Sequence, residues 1–194
     1  METINKKDSI ASGDNKINKG DDMEFLSVNN FEKYLNREKP LVEGMLKPAD
    51  QIQPNGIELT LCEVSKITTA GKIAVSNKDR VISEQKKLEF GPDGMVFLEK
   101  GCYMVLFNEI TNIPKDVFAM ARVRSSLLRS GATIETALWD SGYCGRSSAL
   151  LVVYNENGMY LEKNSRLIQL IFFKLEGEVG KSYSGVYQNE NVGK

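Results

Sequence analysis

The stretch ALLVVYNENGMYLEKNSRLIQLIFFKL, residues 149–175, decides the fold class. It holds three apolar runs, 149–154, 159–161 and 168–175, separated by Asn-Glu-Asn-Gly and by Glu-Lys-Asn-Ser. The runs are short and rich in Val, Ile, Leu and Phe, and the breaks are built from turn-forming residues. That is the pattern of strands joined by tight connections. Upstream, residues 56–64, 72–74, 95–97, 102–107, 118–123 and 132–138 read the same way. A series of short strands with turn signals between them predicts a sandwich, jelly roll or barrel. No internal repeat is visible.

Helical signals are few. Phe25, Leu26, Phe31, Tyr34 and Leu35 fall roughly at helical spacing, which predicts a short helix over 25–35, capped by Asn29 or Asn30. Residues 125–129 predict a helical turn between two strands. The ends differ in character. Residues 1–22 are mostly Asn, Lys, Asp, Ser and Gly, too polar to offset the entropy of ordering, and read as a disordered extension. Residues 23–176 form the expected β domain. Residues 177–194 have Tyr183, Val186 and Tyr187 as their sizeable apolar groups and read as a flexible tail.

Composition narrows the chemistry. The chain has 194 residues, 26 acidic and 25 basic side chains, three cysteines and no histidine. Without an imidazole there is no Ser-His-Asp triad, no Cys-His pair and no HExxH metal helix. Proton transfer falls to a carboxylate, Lys, Tyr, Cys or water. Cys62, Cys102 and Cys144 include no CxxC and do not make a four-ligand metal site. A net charge of −1 leaves no footprint for nucleic acid or an anionic membrane. No apolar run approaches the ~18 residues of a membrane span, and the cytoplasm is the expected location.

Four polar stretches interrupt the strands. Arg122-Val-Arg124-Ser125-Ser126-Leu-Leu-Arg129 suits a phosphate, because guanidinium forks and hydroxyls offer many donors; a solvated basic loop is the other reading. Trp139-Asp140-Ser141-Gly142-Tyr143 offers a general base near an aromatic platform, or simply a turn. Asn55-Gly56-Ile57-Glu58 is a tight turn with a carboxylate at a strand start, either exposed or in contact with metal or sugar. In Arg166-Leu-Ile-Gln169, a Gln within an apolar run needs a partner if buried.

In this order, these stretches resemble the motifs of the dUTPase and dCTP deaminase superfamily, and most of all its archaeal dUTPase branch. QIQPNGIELTL resembles the first motif, RVRSSLLRSG the second, ALWDSGYCGR the third and NSRLIQLIFF the fourth. The tail SYSGVYQNEN resembles that branch's Tyr-x-Gly-x-Tyr-Gln ending. The resemblance implies an all-β, distorted jelly-roll barrel with a short N-terminal helix, assembled as a homotrimer with active sites between subunits. It implies hydrolysis of dUTP to dUMP and pyrophosphate, with Mg²⁺ on the triphosphate and Asp140 activating the water that attacks the α-phosphorus. Tyr143 would pack on the deoxyribose. Arg124 and Ser125 would hold the phosphates, with Ser126 and Gln169 lining the same pocket and Arg166 helping to position them. Backbone groups around Thr133–Leu138 would read uracil, and Tyr187 in the tail would cover the site.

Some residues depart from the pattern. The first motif usually carries Asp where this chain has Glu58, whose contact to sugar or metal-bound water is therefore open. A glycine-rich fifth motif is missing, and Ser141 replaces a commoner Pro. Deaminases of the superfamily use a Glu in the strand after the third motif, where this chain has Val152 before Tyr154-Asn155. That weighs against dCTP deamination, alone or alongside dUTP hydrolysis; Glu135 is a residual candidate in the wrong strand. A non-catalytic trimeric binding protein predicts erosion of Asp140, Arg124 or Ser125, and all three are intact.

Overall fold

The computed structural model describes residues 24–193, so the extension read over 1–22 lies outside the described residues. In chain order the elements are β1 (Glu24–Phe25), α1 (Val28–Leu35), β2 (Val42–Glu43), α2 (Pro48–Gln51), β3 (Ile52–Gln53) and β4 (Gly56–Ile67). Then come β5 (Gln85–Lys87), β6 (Met95–Leu98), β7 (Gly101–Phe107), β8 (Ile110–Asn112), β9 (Val117–Val123) and α3 (Ser125–Arg129). The chain continues through β10 (Ala132–Glu135), β11 (Cys144–Gly145), β12 (Ser148–Val153), β13 (Met159–Glu162) and β14 (Arg166–Lys174).

Strand-to-strand pairing is antiparallel. The main sheet runs β1-β14-β4-β7-β12-β10, with β9 also on β14 and with β3 and β5 also on β4. β4 makes this curl possible. It pairs with β14 through Ile57–Thr60 and, after a register shift near Leu61, with β7 through Glu63–Lys66. A β-bulge of this kind bends a strand and strengthens its twist. The result is the curled antiparallel sheet of a jelly roll, mostly β, as the sequence predicts.

Alternation sets the core. In β7 the side chains of Tyr103, Val105 and Phe107 are buried, and in β12 those of Ala149, Leu151 and Val153. The first half of β4 is buried on both faces, Ile57, Leu59 and Leu61 on one and Glu58 and Thr60 on the other. In β14 Leu167, Ile168, Leu170 and Phe172 are enclosed while Gln169 and Ile171 are part-exposed. α1 closes one side, with Phe31 edge-on to Phe172 at 6.0 Å between ring centroids. Each such side chain contributes roughly 1.5–3 kcal/mol through burial.

Several local expectations are corrected. The helix starts at Val28, with Ser27 rather than Asn29 or Asn30 as its extended N-cap. Phe25 instead pairs with Phe173, and the Leu26 N–H donates to the Phe172 carbonyl at 3.0 Å, so sheet pairing takes residues whose spacing looked helical. Residues 72–74 form no strand; Lys72 makes a single bridge to Val81, and Ile73 and Val75 face solvent. The run 132–138 ends as a strand at Glu135, which pairs with β12, whereas Trp139 pairs separately with Ala119 of β9. The structure adds β5, a polar Gln-Lys-Lys strand on the end of β4 that an apolar pattern could not reveal.

Residues 177–193 fold back on the segment after β10. The Tyr183 N–H donates to the Ser141 carbonyl, the Asn189 N–H to the Cys144 carbonyl, and Gly145 bridges Glu190.

Candidate active site

Two groups of predicted residues take shape, on different elements. In the first, β4 and β14 lie side by side with Glu58 opposite Gln169, and Gln169 is opposite Arg122 of β9. The strand registers therefore bring the first, second and fourth motifs together. Glu58 is buried, and its two oxygens face two guanidinium groups. Oε1 lies 2.7 Å from Arg124 Nε, and Oε2 lies 2.9 Å from Arg166 Nη1. The arginines themselves are about one-third exposed, at 31% and 34% of the side chain. Arg166 Nη1 also donates to the Asp50 carbonyl of α2 at 2.6 Å. Arg124 is the residue on which α3 starts, and Ser125 and Ser126 in its first turn are exposed.

Gln169 lies over Gly56. A Cβ at position 56 would collide with the Leu170 carbonyl and come within 3.0 Å of Gln169 Cγ. Glycine is what lets the two strands approach and lets the Gln169 side chain lie down.

Asp140 anchors the second group. It is exposed and lines two neighbouring clefts. One, of about 510 Å³, is shared with Phe118, Leu138, Lys181 and Tyr183. The other, of about 160 Å³, is shared with Trp139, Tyr143, Ser147, Tyr187 and Glu190. None of Arg124, Ser125, Ser126, Arg166 and Gln169 lines either cleft. Leu138 continues into a third cleft of about 350 Å³, which runs between β9 and residues Thr133–Leu138 and includes Arg122 and Glu135.

Tyr143 is buried, with its ring edge-on to Tyr183 at 5.6 Å. Its hydroxyl donates to Glu190 Oε1 at 2.8 Å and lies 3.1 Å from Ser147 Oγ, which in turn accepts from Trp139 Nε1 at 2.7 Å. Burial pushes the Tyr143 phenol far above its ordinary value; Ser147 pulls against this, and the charge of Glu190 adds to it. Gln188 clamps the same turn, accepting from the Cys144 N–H and donating to the Gly142 carbonyl. Tyr187 is exposed, with the Arg80 guanidinium 5.9 Å from its ring centroid.

Sequence reasoning missed Ser147, Gln188 and Glu190. One signal pointed to them: buried Trp and Tyr need partners for their polar tips. Among the described residues, no three Asp, Glu or Cys side chains gather as a metal cage, and no helix is long and apolar enough to cross a membrane.

Comparison with known proteins gives the family. Residues 25–175 match the dCTP deaminase-like domain. Over 170 residues the chain is 52% identical to the "probable deoxyuridine 5'-triphosphate nucleotidohydrolase" of Methanosarcina mazei, covering 88% of this chain and 99% of that protein. The protein of the same name from Archaeoglobus fulgidus is 39% identical over the same length, again covering 88% and 99%. Among solved structures, the 2'-deoxycytidine 5'-triphosphate deaminase of Agrobacterium tumefaciens superposes with a TM-score of 0.59 at 19% identity, a likeness of fold. It covers 78% of this chain and 48% of that one. The matched domain spans nearly all of the β fold and the archaeal relatives align along almost their whole length, so the chain belongs to the dCTP deaminase-like family, alongside archaeal proteins named as deoxyuridine 5'-triphosphate nucleotidohydrolases.

Proposed function

We propose that this protein is a dUTP diphosphatase, hydrolysing dUTP to dUMP and pyrophosphate, the activity carried in the name of its archaeal relatives. The observation that carries the chemistry is Asp140, an exposed carboxylate at the mouth of two clefts beside Tyr143, in a chain with no histidine. Asp140 accepts the proton of the water that attacks the α-phosphorus, a role typically worth ~10²–10⁴ in rate. Arg124, Ser125, Ser126 and Gln169 bind the phosphates, and positioning with charge neutralisation supplies most of the barrier reduction. The Tyr143 ring forms the shelf for the deoxyribose, and its hydroxyl is already committed to Glu190 and Ser147. Tyr187 covers the cleft from the tail.

The donor set fits Mg²⁺ carried on the triphosphate rather than caged by protein, because both Glu58 oxygens face arginines and no acidic cluster gathers among the described residues. Mg²⁺ so carried neutralises phosphate charge when substrate is bound. Glu58 then serves as an anchor for Arg124 and Arg166 and not as a contact to metal-bound water.

Arg124, Ser125, Ser126, Arg166 and Gln169 stand apart from the two clefts that Asp140 lines in one chain. That division supports a homotrimer with sites completed between subunits. The tail's bonds to Ser141 and Cys144 and its residues Tyr183, Tyr187 and Glu190 in the Asp140 cleft support a β domain over 23–176 with the tail 177–194 as its cover. Phe118 and Met120 of β9 share one sheet face with Phe173 of β14, Phe118 and Phe173 part-exposed and Met120 exposed, where a neighbouring copy would cover them.

Deamination of dCTP is disfavoured because β12 carries no carboxylate, with Val152 opposite Cys102 on one side and Thr133 on the other. One assay separates the readings: purified protein with Mg²⁺ and either dUTP or dCTP. Pyrophosphate from dUTP alone is the expected result, and ammonia from dCTP overturns it.

A further inference from the structure

Glu109, in the turn between β7 and β8, is wholly buried, and none of the ion pairs among the described residues includes it. Its carboxylate accepts from three neutral donors: the Thr60 N–H at 2.8 Å, Thr60 Oγ1 at 2.6 Å and Gln51 Nε2 at 2.7 Å. Gln51 is itself buried and reaches further. Nε2 also donates to the Glu58 carbonyl at 2.8 Å, and Oε1 accepts from the Lys47 N–H at 2.9 Å. One side chain thus fastens the single turn α2 to β4, and Glu109 fastens that side chain.

The fastening matters for Arg166, which is held by groups on two elements, an ion pair to the Glu58 carboxylate on β4 and a hydrogen bond to the Asp50 carbonyl on α2. α2 spans four residues, too few to be stable by itself, so its position depends on outside contacts. We propose that Glu109 is a positioning residue for the phosphate-binding arginines, acting through Gln51 and α2 on Arg166. This rests on the dUTP hydrolase reading, in which Arg166 helps to place the triphosphate.

The chemistry at the node calls for a carboxylate. Every group that meets Glu109 there is a donor, and a carboxylate is acceptor-only. An amide of the same shape would turn an NH₂ group toward one of those donors and leave a buried pair unsatisfied. Glu109→Gln therefore tests the node with almost no change of volume.

The expected result is a dUTP KM raised about tenfold, kcat within about twofold, and an unchanged inhibition constant for deoxyuridine, which has no phosphate. Arg166→Lys should raise KM in the same direction, and the double variant should be no worse than Arg166→Lys alone, because both act through one side chain. Independent effects that multiply in the double variant, or an equal loss of deoxyuridine binding, overturn the proposal. If Glu109→Gln does not fold, Gln51→Met removes the bridge while keeping both Thr60 bonds and is read by the same criteria. A wild-type protein that leaves dUTP intact overturns the hydrolase reading and this proposal with it; multiplying effects in an active enzyme overturn only the node.

Discussion

Arg124 Nε lies 2.7 Å from Oε1 of Glu58, while the other oxygen of the same carboxylate lies 2.9 Å from Arg166 Nη1. One buried acid therefore orders two arginines that would otherwise repel each other. Removing the charge from a buried pair costs about 3–5 kcal/mol when the partner is left enclosed; here the arginines are one-third exposed and solvent recovers part of it. Glu58→Gln is expected to lose about 2 kcal/mol in urea unfolding and to raise the dUTP KM severalfold, with a smaller effect on kcat. Glu58→Asp keeps the charge but shortens the reach, so it should hold one arginine and fall between the two. Unchanged stability and KM in both variants would remove the anchor role.

Asp140 makes a different demand. If it takes the proton from water, Asp140→Asn removes the base and keeps the shape. Turnover should fall by ~10²–10⁴, while a non-hydrolysable α,β-imido analogue of dUTP binds within a few-fold of its wild-type affinity. Isothermal titration alongside a pyrophosphate-release assay measures both quantities. Substantial turnover in the variant would move the base elsewhere, to Glu190 in the same cleft or Glu135 in the adjoining one.

Much of this was legible in the sequence because the signals were local. β7, β12 and β14 advertise themselves by apolar runs bounded by turn residues, and the motif stretches carried their chemistry in their side chains. The Glu58 pairing was not legible. It depends on β4 lying beside β14 and on a register that sets Glu58 opposite Gln169, and no window of residues encodes such a long-range pairing. The same holds for Glu109 and Gln51, separated by 58 positions in sequence and joined by one hydrogen bond. The run at 72–74 misled for the opposite reason: its apolar residues look strand-like but lack a neighbouring ladder to join.

Tyr143 links stability to alkaline pH. Its folded pKa is raised, chiefly by burial, above the ~10 of an exposed phenol. A raised pKa on a group that loses a proton means that its contribution is fully present below about pH 10. It declines as pH rises from there toward the folded value. Tyr143→Phe should therefore flatten the fall in urea midpoint between about pH 9 and pH 11 relative to wild type. Burial also raises the pKa of Tyr103, so the comparison between the two proteins, and not the slope of either, is diagnostic. At pH 7 the same variant loses the bonds to Glu190 and Ser147, about 1–2 kcal/mol. The ring remains as a shelf, so the dUTP KM should change less than threefold while the tail becomes more open to limited proteolysis. Equal alkaline slopes in the two proteins would show that burial does not hold the Tyr143 phenol protonated in the fold.

Gly56 tests whether the close approach of β4 and β14 serves the site as well as the fold. Any Cβ there meets the Leu170 carbonyl, which is backbone and cannot rotate aside, and also the Gln169 side chain. The strands must separate or Gln169 must leave its place. Overpacking of this kind costs roughly 1–3 kcal/mol, which lowers the urea midpoint of Gly56→Ala. The functional effect is separable by comparison with Gln169→Ala, which removes the displaced group without the clash. If Gln169 contacts phosphate, both variants raise the dUTP KM, and the double variant raises it no further than Gln169→Ala. A Gly56→Ala protein that is destabilised but keeps its KM would place Gln169 outside the phosphate pocket and leave phosphate binding to Arg124 and the two serines.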